Sequence, residues 1–569
     1  MNKSIKTLKD LVNINGEKYR DNVAVLEKRH KDNEFKEYLY SDLKEDVIDF
    51  ATALISKYNL KDEKIAVIGE NSYEWLVTYL AVSTGAGVIV PLDKELPGNE
   101  IVNLIKRSEA SCLVFSSKKS KIVDEIKKEV PTVKTYIEMY SDEIEENVGI
   151  PFKRVIKEGR ELVLGGDTSY QDVEIKPDDF RILLFTSGTT SAAKGVMLTN
   201  GNIIANLESG KEMIELTPED RTFSVLPMHH TYECSVTYMY GLYSGASIAI
   251  CQGLKYLQKN ILETKPTFMA VVPLLIDKLY KKIKKGIDEQ GKEKLVNNMI
   301  KITNGLDKVG IKLKRVIFKD IHEKLGGNLK YLLVGSAPVD KELILAYENL
   351  GICVLQGYGL TETAPLISGT HLKTRKAGSV GTPGKSIKVK LDNVNEDGVG
   401  EILVKGPNVM LGYYKDEEKT KEVLQNGWFR TEDLGYQDDK GNYYICGRSK
   451  NVIVTKNGKK IFPEELEHLV NNIPEVKESL VYGKENELDP TDPEVSVIVT
   501  LDSEYLKEKY GDKVPSIESL QEKIWKDIKD INRTLVPYKI IKSLKVREGD
   551  FEKTTTMKIK RFIELKNVK

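Results

Sequence analysis

The amino-acid sequence predicts an α/β protein. We expect a large N-terminal body of α/β subdomains with a small β-rich subdomain, followed by a small C-terminal α+β domain. Early in the chain, short β-rich apolar runs alternate with amphipathic stretches; turns dominate from about 379 to 447; and a shorter mixed segment follows near Arg448. The expected domains are residues 1–447, with the β-rich subdomain at about 379–447, and residues 448–569. The length of 569 residues alone suggests roughly three to four folding units.

The first half of the body alternates predicted strands and helices. Lys64–Gly69 has the pattern of a strand, Ser72–Thr84 that of a helix, and Gly87–Pro91 and Cys112–Phe115 those of further strands. This βαβ order predicts parallel sheets with helices packed on their faces. The polar, turn-rich stretch Gly165–Asp179 is expected to be a surface connection.

The remainder of the chain has a different pattern. Turn sequences at Glu396–Gly398 and Lys440–Asn442 lie between short apolar runs and predict an antiparallel or barrel-like unit. In the last segment, Pro463 is expected to begin a helix, and Ser479–Tyr482 and Val495–Thr500 are expected to form strands. The apolar face of that helix would consist of Leu466, Leu469, Val470 and Ile473.

Composition excludes several classes of protein. Lys plus Arg and Asp plus Glu each number 86, and this neutrality argues against a nucleic-acid-binding protein. The five cysteines are far apart, so they predict neither a disulfide framework nor a CxxC zinc site and favour a reducing compartment. The most apolar run, Tyr79–Leu92, is shorter than the roughly 20 residues of a membrane span. Because the N-terminus also has no apolar signal core, a cytoplasmic protein is expected.

A candidate phosphate-binding loop follows the predicted strand Phe180–Phe185. Backbone N–H groups, hydroxyls and one lysine after a strand are what a phosphate cradle requires. The loop is not a Walker A motif, because Ala193 and Gly195 stand where Gly and Ser/Thr would be needed around the lysine. By composition alone, a flexible Ser/Thr-rich surface loop explains it equally well. The candidate ligands are Thr186, Ser187, Gly188, Thr189, Thr190 and Lys194.

This loop resembles the signature loop of the adenylate-forming superfamily, which includes acyl-CoA synthetases, luciferases and peptide-synthetase adenylation domains. Two positions depart from that pattern, since Ser191 replaces the usual Gly and Ala193 the usual Pro. Both residues are small, so close approach to a triphosphate remains feasible. Further motifs follow in the order that the family has, and the resemblance covers most of the chain.

Two of these motifs concern the acyl and adenine sites. The segment Leu226–Glu233 resembles the family's segment beside the acyl pocket, where His230 takes the position of the pocket His or aromatic residue. On its own, a pair of histidines is more often structural. After the predicted strand Tyr331–Val334, a four-residue segment resembles the lining of the adenine site. It consists of Gly335, Ser336, Ala337 and Pro338.

A third motif matches the family's core nucleotide motif closely and runs from Gln356 to Thr363. The resemblance implies that Tyr358 stacks on adenine, that Thr361 bonds the α-phosphate and that Glu362 binds Mg²⁺, for which a carboxylate is the right ligand type. Without the family, the same residues predict a Gly-rich turn before a helix capped by Thr361. The candidate nucleotide-binding residues are Gln356, Gly357, Tyr358, Gly359, Thr361 and Glu362.

The ribose motif corresponds to Gly427–Gly435. In it Asp433 would accept both ribose hydroxyls, and Arg448 would complete the contacts. Glu432 replaces the usual Gly, and we expect this second negative charge to point outward. Lys450 takes the family's hinge position, about which the small C-terminal domain rotates between half-reactions.

Two C-terminal segments complete the resemblance. Gly458 lies in the turn that corresponds to the thioester-forming loop, and Lys558 corresponds to the catalytic lysine of the final motif. Met557 replaces a usual Gly and Glu552 a common Pro. Without the family, these last residues are a basic tail.

The resemblance implies activation of a carboxylic acid by ATP and Mg²⁺ to acyl-AMP, with release of pyrophosphate, and then thioester formation with coenzyme A. The residues implied as catalytic are Lys558, Thr361 and His230. Glu74–Ile101 and the acyl-pocket segment most resemble long-chain fatty acyl-CoA synthetases. Two alternatives remain: an acyl-AMP ligase or acyl-carrier-protein synthetase with another thiol acceptor, and a non-catalytic nucleotide- or lipid-binding relative.

An extra helical stretch between Tyr280 and Gly326 is also typical of long-chain enzymes. Within it, Ile311–Leu325 predicts one helix with an apolar stripe bordered by basic residues, which could rest on a membrane surface, on acyl substrate or on the protein body. Residues 281–324 hold 13 Lys or Arg against 6 Asp or Glu. Peripheral membrane contact and a homodimer therefore both remain open. The stripe consists of Leu313, Ile317, Ile321 and Leu325.

Overall fold

The computed structural model describes residues 4–29, 32–140, 148–186, 193–486, 489, 492–554 and 558–566. By packing, these residues form two compact units. The larger comprises the described residues up to 186 together with 193–389 and 404–429, and the smaller comprises 390–403 and the described residues from 430 onward. A large N-terminal α/β body and a small C-terminal domain are thus confirmed. The exact domain boundary at residue 447 stays a prediction.

One sheet of the larger unit has nine strands and a parallel centre. In pairing order it consists of Thr382–Pro383, Leu366–Gly369, Cys353–Gly359, Tyr331–Val334, Phe268–Val271, Arg221–Ser224, Ser247–Ile250, Val23–Glu27 and Lys36–Leu39. The parallel strands are short and mostly buried, as expected of a sheet covered on both faces.

The other sheet of the larger unit has eight strands. In pairing order it consists of Gly412–Tyr413, Lys194–Thr199, Phe180–Thr186, Gly87–Leu92, Glu63–Ile68, Cys112–Ser116, Thr135–Met139 and Ile150–Pro151. The predicted strands Lys64–Gly69, Gly87–Pro91 and Cys112–Phe115 all lie in it, and they pair in parallel. The βαβ prediction for this half of the chain is therefore confirmed.

Sixteen α-helices of the described larger unit surround these sheets. They are Leu8–Lys18, Tyr40–Thr52, Tyr73–Ala81, Gly98–Ser108, Ser120–Glu129, Phe152–Leu164, Asn200–Met213, Thr231–Glu233, Tyr240–Ser244, Leu257–Thr264, Pro273–Asp288, Glu293–Lys308, Lys314–Ile317, Lys319–Lys324, Lys341–Asn349 and Glu417–Val423. The predicted helix 72–84 begins at the N-cap Ser72, whose hydroxyl accepts the Trp75 N–H, and continues past Ala81 as a π-helical turn. Among the described residues, no helix combines the length and apolar character needed to cross a bilayer.

The connection between Leu164 and Phe180 contains no helix or strand, as predicted, but one of its residues is deeply buried. Tyr170 is 1% exposed, and its hydroxyl lies 2.7 Å from the Thr84 hydroxyl oxygen. Its ring also occupies the space that a Cβ on Gly85 would need, since the nearest ring atoms would be 2.6 Å away. The segment is therefore anchored to the core rather than lying wholly on the surface.

The prediction of a single helix over Ile311–Leu325 is wrong. The chain forms two short helices, Lys314–Ile317 and Lys319–Lys324, with a break at Phe318, which is 4% exposed. Leu325 is buried and Ile321 is half-buried, whereas Leu313 and Ile317 are exposed. The break turns the apolar stripe into two groups: Ile321 and Leu325 pack inward, while Leu313 and Ile317 face solvent.

The β-rich part and the C-terminal part contain three further sheets. The first consists of Lys388–Asp392, Gly400–Lys405, Trp428–Gln437, Leu424–Gln425 and Tyr443–Arg448; the second of Ile453–Val454 and Lys460–Ile461; and the third of Val476–Lys484, Glu494–Leu501 and Ser543–Arg547. The helices are Pro463–Val470, Ser503–Tyr510, Ile517–Asn532 and Arg561–Lys566. The helix predicted to begin at Pro463 does so, but it ends at Val470, so Ile473 joins the core from beyond the helix.

Candidate active site

The candidate phosphate loop connects two antiparallel strands. Phe180–Thr186 pairs with Lys194–Thr199 in a register that sets Thr186 opposite Lys194. Thr186 and Lys194 therefore lie at the two ends of the connection. The predicted ligands Ser187, Gly188, Thr189 and Thr190, together with Ser191, lie outside the described residues.

One tyrosine brings the lysine of this loop to the candidate metal ligand. The Lys194 ammonium lies 5.0 Å from the centre of the Tyr413 ring, a cation–π contact. The Tyr413 hydroxyl donates to Glu362 Oε1 at 2.9 Å. Tyr413 is held in place because its strand pairs with Lys194–Thr199, opposite Val196. A cation and a carboxylate at one location match the needs of a phosphate and of its Mg²⁺.

Sequence reasoning missed Tyr413. It lies 51 residues from Glu362 in the chain, in the short strand Gly412–Tyr413, and belongs to no motif that was recognised. The tyrosine pair at 413–414 beside a glycine was the only available signal, and it does not distinguish a site residue from a core residue.

The core nucleotide motif occupies the end of a strand and one helical turn. Cys353–Gly359 is a strand, and Thr361–Thr363 is a single 3₁₀ turn. The prediction from the residues alone, a helix capped by Thr361, is therefore wrong. Gly359 is required sterically, because a Cβ there would lie 1.7 Å from the Pro365 carbonyl oxygen. Tyr358, near the end of the strand, and Thr361 and Glu362, in the turn, are half-buried.

The segment Gly335–Pro338 lies next to this motif. It directly follows the strand Tyr331–Val334, whose Val334 pairs in parallel with Gln356. Ser336 adopts a left-handed backbone with φ of +70°. Such strain in a non-glycine residue is typical of functional loops. Parallel pairing therefore brings two of the predicted adenine-site segments to one sheet edge.

The histidine segment packs against the same region. The Tyr232 hydroxyl donates to the Leu333 carbonyl at 2.7 Å, and its ring would lie 3.1 Å from a Cβ on Gly335. Further along, the Ser235 hydroxyl donates to the Ala364 carbonyl at 3.2 Å. His230 immediately precedes the short helix Thr231–Glu233. In the larger unit, Tyr413 thus joins Lys194 to Glu362. The histidine segment packs against the strand before Gly335 and against the turn that follows Glu362.

Two acidic residues near His230 were not predicted. Asp93, directly after the strand Gly87–Leu92, places its Oδ2 3.5 Å from His229 Nε2. Glu233 is fully buried and accepts the Thr237 hydroxyl at 2.9 Å. Burial raises the pKa of Glu233 to about 8, since an uncharged carboxyl is favoured where water is excluded. No local motif marks Asp93, because it reaches the histidines only through the fold.

In the smaller unit, the candidate ribose residues form an ion pair. Asp433 and Arg448 lie opposite each other on adjacent antiparallel strands, and Arg448 Nε is 3.1 Å from Asp433 Oδ1. Asp433 is 5% exposed. The guanidinium fixes the orientation of this buried carboxyl group, whose oxygens can accept hydroxyl groups.

Glu432, which was expected to point outward, is half-buried and forms an ion pair. Its side chain is 24% exposed, and its Oε2 lies 2.9 Å from Lys450 Nζ. Its backbone is left-handed, with φ of +61°, which explains why glycine is the usual residue in the motif. The additional negative charge beside Asp433 is therefore neutralised by the predicted hinge lysine.

Lys558 lies in an anchored loop. Lys553 and Ile559 form an antiparallel bridge, and the Lys558 N–H donates to the Thr554 hydroxyl at 3.2 Å. Lys553 pairs with Glu478 at 2.6 Å, and Ile559 packs on an apolar cluster. Lys558 itself is exposed at this loop, whereas Met557 lies outside the described residues.

Gly458 occupies a tight turn. Its N–H donates to the Thr455 carbonyl at 2.9 Å, and the Thr455 N–H donates to the Lys459 carbonyl at 3.0 Å. The φ of Gly458 is +72°, which a residue with a Cβ rarely adopts. The turn predicted from Lys456-Asn457-Gly458 is therefore present; its role in thioester formation stays a prediction.

Comparison with known proteins identifies the family. The family model for AMP-binding enzymes matches residues 13–414. Long-chain-fatty-acid–CoA ligase 5 of Rattus norvegicus is 31% identical over 453 residues, which are 74% of this chain and 65% of that protein. Long chain acyl-CoA synthetase 3 of Arabidopsis thaliana is 30% identical over 462 residues, with coverage of 75% and 68%. The chain thus spans slightly less than two thirds of the length of the rat relative.

A third relative and the solved structures broaden this result. A chloroplastic long-chain-fatty-acid–[acyl-carrier-protein] ligase of Arabidopsis thaliana is 26% identical over 550 residues, with coverage of 84% and 75%. An anthranilate CoA ligase in complex with anthranoyl-AMP has a TM-score of 0.76 at 18% identity, with coverage of 99% and 97%. The o-succinylbenzoate CoA synthetase of Bacillus subtilis with ATP and magnesium has a TM-score of 0.71 at 21% identity, with coverage of 97% and 98%. These structures share the fold.

Proposed function

Because the chain belongs to the family of AMP-binding enzymes, we propose that it is an AMP-forming acid–thiol ligase. It activates a carboxylic acid with ATP to acyl-AMP, releasing pyrophosphate, and then transfers the acyl group to coenzyme A. The observation that carries this proposal is the pair of contacts that Tyr413 makes with Lys194 and with Glu362. They bring a cation and a carboxylate together at the end of the candidate phosphate loop.

Residues of the larger unit would hold the triphosphate and its metal. Lys194 supplies positive charge to the β/γ-phosphates, and Glu362 supplies an oxygen ligand to Mg²⁺. Tyr413 keeps the Glu362 carboxylate oriented through its hydroxyl hydrogen bond. Magnesium, when bound, reduces the repulsion between the acid anion and the phosphates. Attack of one anion on another depends on such charge compensation and on fixed geometry.

The smaller unit carries the residues that we assign to the ribose and to the α-phosphate. Asp433 accepts the ribose hydroxyls with its two carboxylate oxygens, and the contact with Arg448 holds the carboxylate in place. Lys558 supplies a further positive charge between the acid and the α-phosphate. Its exposed position on an anchored loop suits a residue that acts in one half-reaction and is withdrawn in the other.

The acid is proposed to be a long-chain fatty acid. The rat and Arabidopsis relatives carry that substrate class in their names, and they align over about three quarters of the chain. Transfer to an acyl-carrier protein is the alternative that the chloroplastic relative favours. A panel of acids from acetate to oleate, each with free coenzyme A or with holo acyl-carrier protein, should give the highest kcat/KM with long chains and coenzyme A.

Half-reaction assays with a Lys558→Ala variant test the mechanism. We expect acyl-AMP formation to fall by at least about 10² and thioester formation from supplied acyl-AMP to be retained. Lys545→Ala, which removes an exposed lysine from the strand Ser543–Arg547, is the matched control. Equal loss of both half-reactions would contradict the role of Lys558. Binding of ATP without pyrophosphate release from any acid would instead favour the non-catalytic relative.

We further propose that the larger unit contacts anionic membranes through the patch formed by residues 293–317. Val309 and Val316 are 71% and 70% exposed, and Leu295, Ile302 and Ile311 are exposed as well. The surrounding stretch 281–324 carries 13 Lys or Arg against 6 Asp or Glu. Apolar side chains among lysines suit the interface of an anionic bilayer, which also holds long-chain acids.

Vesicle sedimentation tests this surface. The chain should bind vesicles that contain phosphatidylglycerol and should not bind pure phosphatidylcholine vesicles, with binding weakened by salt. Val309→Ser with Val316→Ser should reduce binding, whereas Val394→Ser, which changes a 52% exposed valine of the smaller unit, should not. Binding unaffected by the paired substitution would refute this surface, and self-association in its place would indicate a homodimer.

A further inference from the structure

We propose that Asp93, His229 and His230 form a binding site for a divalent transition-metal ion of the Zn²⁺ or Co²⁺ type, built from other residues than the proposed magnesium ligand Glu362. One ligand atom from each of the three residues lies within 4.8 Å of the others. All three belong to the larger unit. The proposal rests on this juxtaposition and on the way that the fold holds each side chain.

The distances are close to those of a metal site. In tetrahedral zinc sites, His and carboxylate ligands lie about 2.0–2.2 Å from the ion, so two ligand atoms are roughly 3.3 Å apart. His229 Nε2 and Asp93 Oδ2 are 3.5 Å apart. The two imidazole rings lie side by side, with centres 4.1 Å apart and planes inclined by 43°. His230 lies beside this pair, so the three residues can supply three of the four ligands of a tetrahedral ion.

The carboxylate is held in a defined orientation. Asp93 directly follows the buried strand Gly87–Leu92 and is 8% exposed. Its Oδ1 accepts the Glu95 N–H at 2.9 Å, which leaves Oδ2 on the side of His229. Ligating carboxylates in metal sites are commonly fixed by such a second hydrogen bond.

The segment Leu226–His230, which carries both histidines, is held by hydrogen bonds from a neighbouring side chain. The Asn71 side chain accepts the Met228 N–H at 3.0 Å and donates to the Leu226 carbonyl at 2.7 Å. The His229 side chain is 9% exposed, and its Nε2 is buried without a hydrogen-bond partner. Leaving a buried polar atom without a hydrogen-bond partner is unfavourable. Ligation of a metal would satisfy it.

The donor atoms determine which ions fit. Two imidazole nitrogens and one carboxylate oxygen suit Zn²⁺, Co²⁺ and related ions, whereas Mg²⁺ prefers oxygen ligands alone. Three protein ligands leave at least one coordination position open for water or for an external carboxylate. Because His230 is also the residue assigned to the acid pocket, an occupied site would compete with acid binding. That consequence alone rests on the proposed function.

Titration of the purified chain with Co²⁺, in the presence of excess Mg²⁺ and without ATP or acid, tests the site through the visible absorption of the bound ion. We expect saturable binding of one ion, with affinity reduced at least about tenfold in His229→Ala and in the nearly isosteric Asp93→Asn. His468→Ala is the control, since it removes an exposed histidine from the helix Pro463–Val470.

Equal affinity in the unaltered chain and in both site variants, or no saturable binding by the unaltered chain, would overturn the proposal. Asp93→Asn guards against a folding defect in His229→Ala. The assay uses neither nucleotide nor acid, so failure of the metal site and failure of the ligase function are scored separately. ATP-dependent pyrophosphate release measured without Co²⁺ reports the ligase function alone.

Discussion

Substitution of Glu432 separates two contributions to the free energy of unfolding, one from its left-handed backbone and one from its ion pair with Lys450. The left-handed backbone, with φ of +61°, disfavours any residue with a Cβ, at a cost of roughly 1–2 kcal/mol. The carboxylate compensates through its 2.9 Å ion pair with Lys450, whose side chain is 46% exposed. Solvent screening limits such a pair to about 0–1 kcal/mol. The chain therefore retains glutamate at a glycine position with little or no net gain in stability.

Alanine and glycine variants distinguish the two contributions. Both remove the carboxylate, but only alanine keeps the Cβ. Glycine gains conformational freedom in the unfolded chain, which offsets about 0.4–1 kcal/mol of the relief. We expect Glu432→Gly to be more stable than Glu432→Ala by about 1 kcal/mol. Glu432→Ala itself should be less stable than the unaltered chain by no more than about 1 kcal/mol.

Urea unfolding followed by tryptophan fluorescence measures these differences, since Trp428 lies on the same strand as Glu432. The alanine variant is the matched control for the glycine variant. If Glu432→Ala proved as stable as Glu432→Gly, the left-handed backbone at this position would be refuted. If Glu432→Ala lost several kcal/mol, the ion pair would be stronger than partial exposure allows.

Three further substitutions test the larger unit. Glu362→Gln should raise the Mg²⁺ concentration for half-maximal pyrophosphate exchange at least about tenfold; an unchanged requirement would exclude this ligand. Gly359→Ala should lower the free energy of unfolding by about 1–3 kcal/mol, because the new Cβ would lie 1.7 Å from the Pro365 carbonyl oxygen. Gly357→Ala is the control, since the nearest atom to a Cβ at Gly357 is 3.8 Å away. Glu233 has a pKa raised from 4.5 to about 8, so between these values the unfolded chain binds fewer protons and stability falls as pH rises. The loss is about 1.4 kcal/mol per pH unit, and Glu233→Gln should remove that slope in unfolding measured from pH 5 to 8.

Much of the fold could be predicted because buried positions in strands and helices are apolar and recur with the period of each element. The strand Glu63–Ile68 and the helix that follows it appear in the sequence as an apolar run and an amphipathic stretch. The prediction failed over Ile311–Leu325, where helical periodicity was real but Phe318 is drawn into the core. Such a break depends on what the helix packs against, and local periodicity carries no information about that.

The candidate site likewise contains residues that the sequence could identify and residues that it could not. Contiguous motifs such as Gln356–Thr363 could be recognised because their chemistry is local to one strand end and one turn. Tyr413 and Asp93 could not, since each reaches the site through sheet pairing or through a strand end far away in the chain. The sequence identifies groups with suitable chemistry, and the fold determines which additional groups orient them.

The departures from the family's motifs bear on whether the chain is a catalyst or a binding relative. Glu432 is one of three departures, with Ser191 and Met557, that keep a non-catalytic relative open, because a second anion beside Asp433 would repel a nucleotide if it pointed inward. Its pairing with Lys450 removes that argument, since the two charges cancel at 2.9 Å. The Asp433–Arg448 pair stays intact next to it. The charges around Asp433 are therefore balanced within the smaller unit, as the proposed contact of Asp433 with a ribose requires.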